Sequence, residues 1–171
     1  LKPYRNDIFL ACKTTERDAK GSEEELNTSL KRVGVDHFDL YQFHAVTEMS
    51  EVERIFAPRG AMETFIKAQK EGKIRFIGFS AHSEEAALAL LNRFSFNSIL
   101  FPINFVCYAR GNFGPRVVEK AKETGASRLA LKSLAHTPIP DGVKKKYPKC
   151  WYKPVDDESF AEKALRFTLS Q

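Results

Sequence analysis

Five polar side chains stand at comparable places in this sequence: Lys13, His44, Ser80, Asn104 and Lys132 each close a short apolar run. An ammonium group stabilises a neighbouring anion or forms a Schiff base with a carbonyl. An imidazole carries a proton near neutral pH or orients an oxygen by hydrogen bond. Taken singly, each has a plainer role. Lys13 can reach solvent, His44 can be a hydrogen-bonded core residue, and Ser80 and Asn104 can cap the next helix or turn. A polar group ending a run buried on both faces must reach a mouth or find a partner. Five at equivalent positions point to one ring-shaped site.

The elements that must position them alternate regularly. The runs from Ile8 to Lys13, Phe38 to His44, Ile74 to Ser80, Ser98 to Asn104, and the stretch "SRLALKSL" are predicted strands. Ser22 is the expected cap of the first helix, with an acidic first turn, Lys31 and Arg32 in the last turn, and Gly34 as its stop. Leu26, Leu30 and Val33 recur at helical spacing as its buried stripe. The next helix is expected to bury Met62, Phe65, Ile66 and Gln69 and to stop at Gly72. Ser83 caps a third helix, Pro115 opens a fourth, and "DDESFAEKALRFTLSQ" starts a last one on an acidic N-terminus. Five strand–helix units without hairpin signals imply a parallel α/β sheet. No Gly-rich GxGxxG or P-loop follows a strand, which disfavours the doubly wound nucleotide fold. An incomplete (β/α)8 TIM barrel of about five parallel β/α units is the expectation, because such barrels gather chemistry at the C-terminal ends of their strands.

Composition bounds the function classes. The chain has 171 residues, 43% hydrophobic and 29% charged, with a net charge of +5, enough for one domain with a core over residues 1–171. No apolar run approaches the roughly 20 residues of a membrane helix. The basic residues are scattered over helix faces, so neither a nucleic-acid nor a membrane partner is expected. The compact run Lys144-Lys145-Lys146, with Lys149, reads first as a solvated loop and second as a phosphate site. Cys12, Cys107 and Cys150 are odd in number and far apart, which argues against disulfides and zinc and fits a reducing cytoplasm. Tyr147, Trp151 and Tyr152 stand either as a pocket wall or as a cover on the barrel rim.

Three segments in series, "FLACKTTERD", "SLKRVGVDHFDLYQFHAV" and "EGKIRFIGFSAH", resemble consecutive signatures of the aldo-keto reductases. The resemblance implies reduction of an aldehyde or ketone to an alcohol with NADPH, NAD remaining an option, on a small-molecule carbonyl substrate. It casts Lys13 and His44 as catalytic, the lysine tuning a tyrosine and the histidine orienting the carbonyl. It assigns Ser80 to the nicotinamide carboxamide, with Asn104 and Lys132 as further cofactor contacts. Ala81 stands where the family's asparagine is expected, and Leu100 stands for a common glutamine. The family's aspartate and tyrosine belong to strands before the lysine strand, and its 2′-phosphate segment follows the last strand. Neither Tyr4 nor Tyr41 suits the tyrosine's role. The expectation is a domain truncated at both ends, about two-thirds of a full barrel of about 250 residues, inactive by itself and prone to association through open sheet edges. Two alternatives stand beside this reading: a non-catalytic nicotinamide-binding module, and a lyase forming a Schiff base on Lys13.

Overall fold

The computed structural model describes residues 2–142 and 152–171. The tri-lysine run, Lys149, Cys150, Tyr147 and Trp151 lie outside the described residues. Five parallel strands form one sheet in the order β1 (Ala11–Thr14), β2 (Phe38–Val46), β3 (Ile74–Ala81), β4 (Ser98–Pro102) and β5 (Ser127–Leu131). Neighbours in space are neighbours in sequence, with a helix in every crossover, as in a (β/α)8 barrel; here the arc does not close. Helices α1 (Ala19–Val33), α2 (Met49–Phe56), α3 (Ala61–Lys70), α4 (Glu84–Arg93), α5 (Phe105–Ala109) and α6 (Pro115–Glu123) fill the crossovers, and α7 (Glu158–Leu169) ends the chain.

Alternate strand residues face opposite ways. Tyr41, Phe43 and Phe79 face the helices, where Phe43 stacks on Phe65 of α3 at 3.9 Å and Phe79 meets Phe96 edge-on at 4.8 Å. These rings are fully buried and are the centre of the core. The other face carries Lys13, Gln42, Gly78 and Ser98 in one register row. One row nearer the C-terminal ends come His44, Ser80 and Leu100.

Several local expectations need correction. The first strand starts at Ala11 rather than Ile8, because residues 2–7 form a 3-10 turn whose Arg5 bonds the Ile8 carbonyl. Ser22 does not cap α1; Asp18 does, its carboxylate accepting the Gly21 N–H at 2.9 Å, and Ser22 lies buried inside the helix. The helix therefore has no acid in its first turn. On α3, Ile66 and Gln69 are exposed, and the buried side is Ala61, Met62, Thr64, Phe65 and Ala68. Thr64 turns that side by donating to the Ala19 carbonyl of α1 at 2.7 Å. A hairpin-like pair is present after all: β6 (Ala135–Pro138) pairs antiparallel with β7 (Tyr152–Pro154). The caps at Ser83, Gly34 and Pro115 are as expected. Among the described residues, no helix is long and apolar enough to cross a membrane.

Candidate active site

The C-terminal strand ends carry the five polar residues at slightly different heights. Lys13 is the penultimate residue of β1 and Ser80 that of β3, while His44 stands two before the end of β2. Lys132 comes one residue after β5, and Asn104 two after β4. Strand β4 stops at Pro102, which has no N–H to continue a ladder.

Lys13, His44 and Ser80 share the face turned away from the helices. Strand β2 bulges here: its register on β3 shifts between Phe43 and Val46, and Ala45 takes a left-handed φ of 51°. The Ser80 hydroxyl accepts the Ala45 N–H at 2.7 Å and lies 3.4 Å from His44 Nδ1. With its oxygen serving Ala45, Ser80 has its hydrogen for the ring, which favours the tautomer protonated on Nε2. Loss of surrounding water lowers the His44 pKa first, and the Lys13 and Arg17 charges lower it further against a smaller pull from Glu25. These effects favour the neutral ring, which is exposed and in that tautomer donates from Nε2.

Asn104 does something else. It is 2% exposed and caps α5, accepting the Cys107 N–H at 2.9 Å, while its amide donates to the Lys132 carbonyl at 3.2 Å. This is the capping role that a strand-end asparagine shares with many turns. It pins Lys132, whose φ of 56° is left-handed. Lys132 lines a cavity of about 460 Å³ with His82, Arg110, His136, Val106 and Phe113 among its walls. Tyr152 also lines it, so one of the three rim aromatics is a wall residue. Among the described residues no acidic side chain faces this cavity.

His82 joins the two halves. Its pKa is lowered by desolvation first, then by the charges of Lys132, His44 and Lys13. It follows Ala81, which is buried and brings no donor. Sequence reasoning passed over His82 and Arg17; only the histidine carried a signal, as an imidazole two residues after a strand-end serine. Tyr41 is excluded from this face: it is fully buried against Phe65 at 5.0 Å, its hydroxyl has no partner among the described residues, and burial raises its pKa. Among the described residues no cluster of metal-ligating side chains occurs.

Residues 1–160 match the family model described as the aldo/keto reductase family. Over 88 residues the chain is 39% identical to aldo-keto reductase str7 of Strobilurus tenacellus, covering 48% of this chain and 24% of that protein. It is 34% identical over 88 residues to aldo-keto reductase yakc of Schizosaccharomyces pombe, whose name specifies NADP(+), covering 44% of this chain and 24% of that one. The holo form of aldo-keto reductase AKR11C1 from Bacillus halodurans is similar over 99% of this chain and 61% of its own, with a TM-score of 0.70 and 23% identity. An aldo-keto reductase from Klebsiella pneumoniae in complex with NADPH is similar over 77% of this chain and 44% of its own, with a TM-score of 0.61 and 17% identity. The chain therefore spans less than two-thirds of the length of these relatives.

Proposed function

The chain belongs to the aldo/keto reductase family, and from that premise we propose that the whole protein reduces an aldehyde or ketone to an alcohol with NADPH. The observation that carries the reading is the meeting of Lys13, His44 and Ser80 on one face at the strand ends, with the neutral His44 ring favoured. NADP fits the donor set in part. Ser80 offers a hydroxyl to a carboxamide, and the acid-free cavity with Lys132 and Arg110 suits phosphates. Ala81 and Leu100 offer no donor, and Asn104 is spent on its cap. When bound, the cofactor supplies a hydride to the carbonyl carbon.

The chain's own residues account for the rest. Neutral His44 donates a hydrogen bond from Nε2 to the carbonyl oxygen and so polarises the bond to be reduced. Ser80 keeps the ring in that tautomer. The Lys13 ammonium stabilises negative charge developing on that oxygen, or on a phenol that the whole protein brings beside it. Proton delivery to the product alkoxide then falls to that phenol. The family's role for Asn104 gives way to a positioning one.

The test is turnover of an aldehyde panel by the full-length protein with NADPH and with NADH. Lys13→Met and His44→Gln are each expected to lower kcat/KM by roughly 10²–10⁴-fold. Wild-type-like turnover in both variants sinks the proposal. Borohydride trapping of substrate on Lys13 favours the Schiff-base lyase instead.

A further inference from the structure

Arg17 is 6% exposed and lies on no strand, yet its guanidinium is engaged on every nitrogen. Nη1 donates to the carbonyls of Thr14, Thr15 and Glu16 at 3.5, 3.1 and 3.4 Å. Nε donates to Glu51 Oε1 at 3.0 Å, and Nη2 pairs with the same oxygen at 2.8 Å. Nη2 also donates to the His44 carbonyl at 2.6 Å. Glu51 reaches on from there: its Oε2 accepts the N–H groups of Thr47 and Glu48 at 2.7 and 3.1 Å and the Thr47 hydroxyl at 3.0 Å.

The carbonyls gathered here lie where the sheet ladder ends or shifts. Thr14 is the last residue of β1, adjacent to Lys13, and residues 15–16 form the loop after it. The His44 carbonyl sits in the β2 bulge, where the ladder to β3 is interrupted. A planar fork with five donors satisfies several such oxygens at once, which a lysine ammonium cannot do at the same span. Burying a guanidinium costs solvation, and only this set of partners offsets it. The result is a clamp from the end of β1, across the end of β2, to the start of α2. Ser80 grips the bulge from the opposite strand through Ala45.

We infer that Arg17 is a positioning residue that holds Lys13 and His44 in working register by fixing the backbone beside the first and the carbonyl of the second. This rests on the reductase reading above. The partners that distinguish it from a general stabilising arginine are specific to the two reactive strands.

The experiment uses the full-length protein and the variants Arg17→Lys, Arg17→Met and Glu51→Gln. Three quantities are measured: kcat with an aldehyde, KM for NADPH, and the titration of the His44 ring by NMR with the Ala45 amide as a local reporter. Arg17→Lys keeps the charge and loses the span. It should lower kcat by about 10²-fold, the scale of an ångström-level misplacement, with KM for NADPH little changed. Its His44 titration should stay below the ordinary histidine range. Arg17→Met should lose kcat likewise, and His44 should titrate at higher pH than in the wild type. Glu51→Gln, which leaves Arg17 in place, should show a smaller kcat loss and a shifted Ala45 amide. If Arg17→Met does not fold, the other two variants decide on the same readouts. Wild-type kcat in Arg17→Lys, or an unmoved Ala45 amide in every variant, overturns the inference. A wild-type protein that reduces no aldehyde fails the reductase reading instead, and the Ala45 and His44 resonances still judge the clamp.

Discussion

Replacing Asn104 tests whether a strand-end amide serves the fold or a ligand. Asn104 is 2% exposed and makes two bonds at once: its oxygen accepts the Cys107 N–H and its amide donates to the Lys132 carbonyl. Asn104→Ala removes the cap, which costs about 1 kcal/mol with a range of roughly 0.5–2. It also takes one of two donors from the Lys132 carbonyl, which keeps the Ala135 N–H at 2.9 Å, costing roughly 0.5–1.5 kcal/mol. The two losses sum to roughly 1–3.5 kcal/mol. Asn104→Asp keeps the acceptor for Cys107 and loses only the donor to the Lys132 carbonyl, so it should cost about 0.5–1.5 kcal/mol. Lys132 adds a check, because its φ of 56° is one a residue with a Cβ holds at a cost. With the anchor gone, Lys132 can relax by itself, so the gain expected from Lys132→Gly should shrink in the Asn104→Ala background. Urea unfolding of the full-length protein gives the stabilities, and fluorescence titration gives NADPH affinity for each variant. A destabilisation under about 0.5 kcal/mol in Asn104→Ala refutes the capping argument. So does an Asn104→Asp variant of near wild-type stability with NADPH affinity abolished, since that marks the amide as a ligand.

Phe65→Ala removes a fully buried ring stacked on Phe43 and tilted on Tyr41; calorimetry or urea unfolding should show a loss of about 3–5 kcal/mol. Arg5→Met breaks a pair with Asp39 whose side chains are 11% and 10% exposed. It should cost about 3–5 kcal/mol by the same assays and leave kcat unchanged, because the pair sits at the opposite end of the strands from Lys13. His44 and His82 both bind protons less readily in the fold than in the unfolded chain, through desolvation and neighbouring cations. Their contribution is complete above roughly pH 6.5 and is lost as pH falls from there, since the unfolded chain takes up protons first. The urea midpoint should therefore fall between pH 7.5 and 5, and the slope should flatten in His44→Gln/His82→Gln; an unchanged slope sinks the assignment.

The strand–helix alternation was legible because apolar residues concentrate in and around each strand and because Ser83, Gly34 and Pro115 act through their own chemistry. Helix α2 was not: its cap position is Glu48, a poor capping type, and its hold comes from Glu51 reaching back to backbone N–H groups. The β6–β7 pairing joins residues 135–138 to 152–154, too far apart for any turn signature. At the site, Lys13, His44 and Ser80 could be read from position alone, since each ends an apolar run on the face away from the helices. Asn104 could not be assigned from position, because a cap and a ligand use the same amide, and its bonds to Cys107 and Lys132 emerge only in the fold. Arg17 left no trace, since the carbonyls it satisfies exist only once β2 has bulged.

Gly78 stands in the row of Lys13, one row below His44 and Ser80, between Gln42 and Ser98. A Cβ there would fall inside contact distance of the Ser98 hydroxyl, 2.9 Å from the Ser98 carbonyl and 3.2 Å from Gln42 Nε2. The missing side chain lets Gln42 span a whole strand and donate to Ser98 Oγ at 3.3 Å. Three strands are thereby laced by one side-chain bond, one row beneath His44 and Ser80. That floor beneath His44 and Ser80 depends on an absent methyl group. Enlarging the position would force Gln42 and Ser98 apart and disturb the row that also carries Lys13.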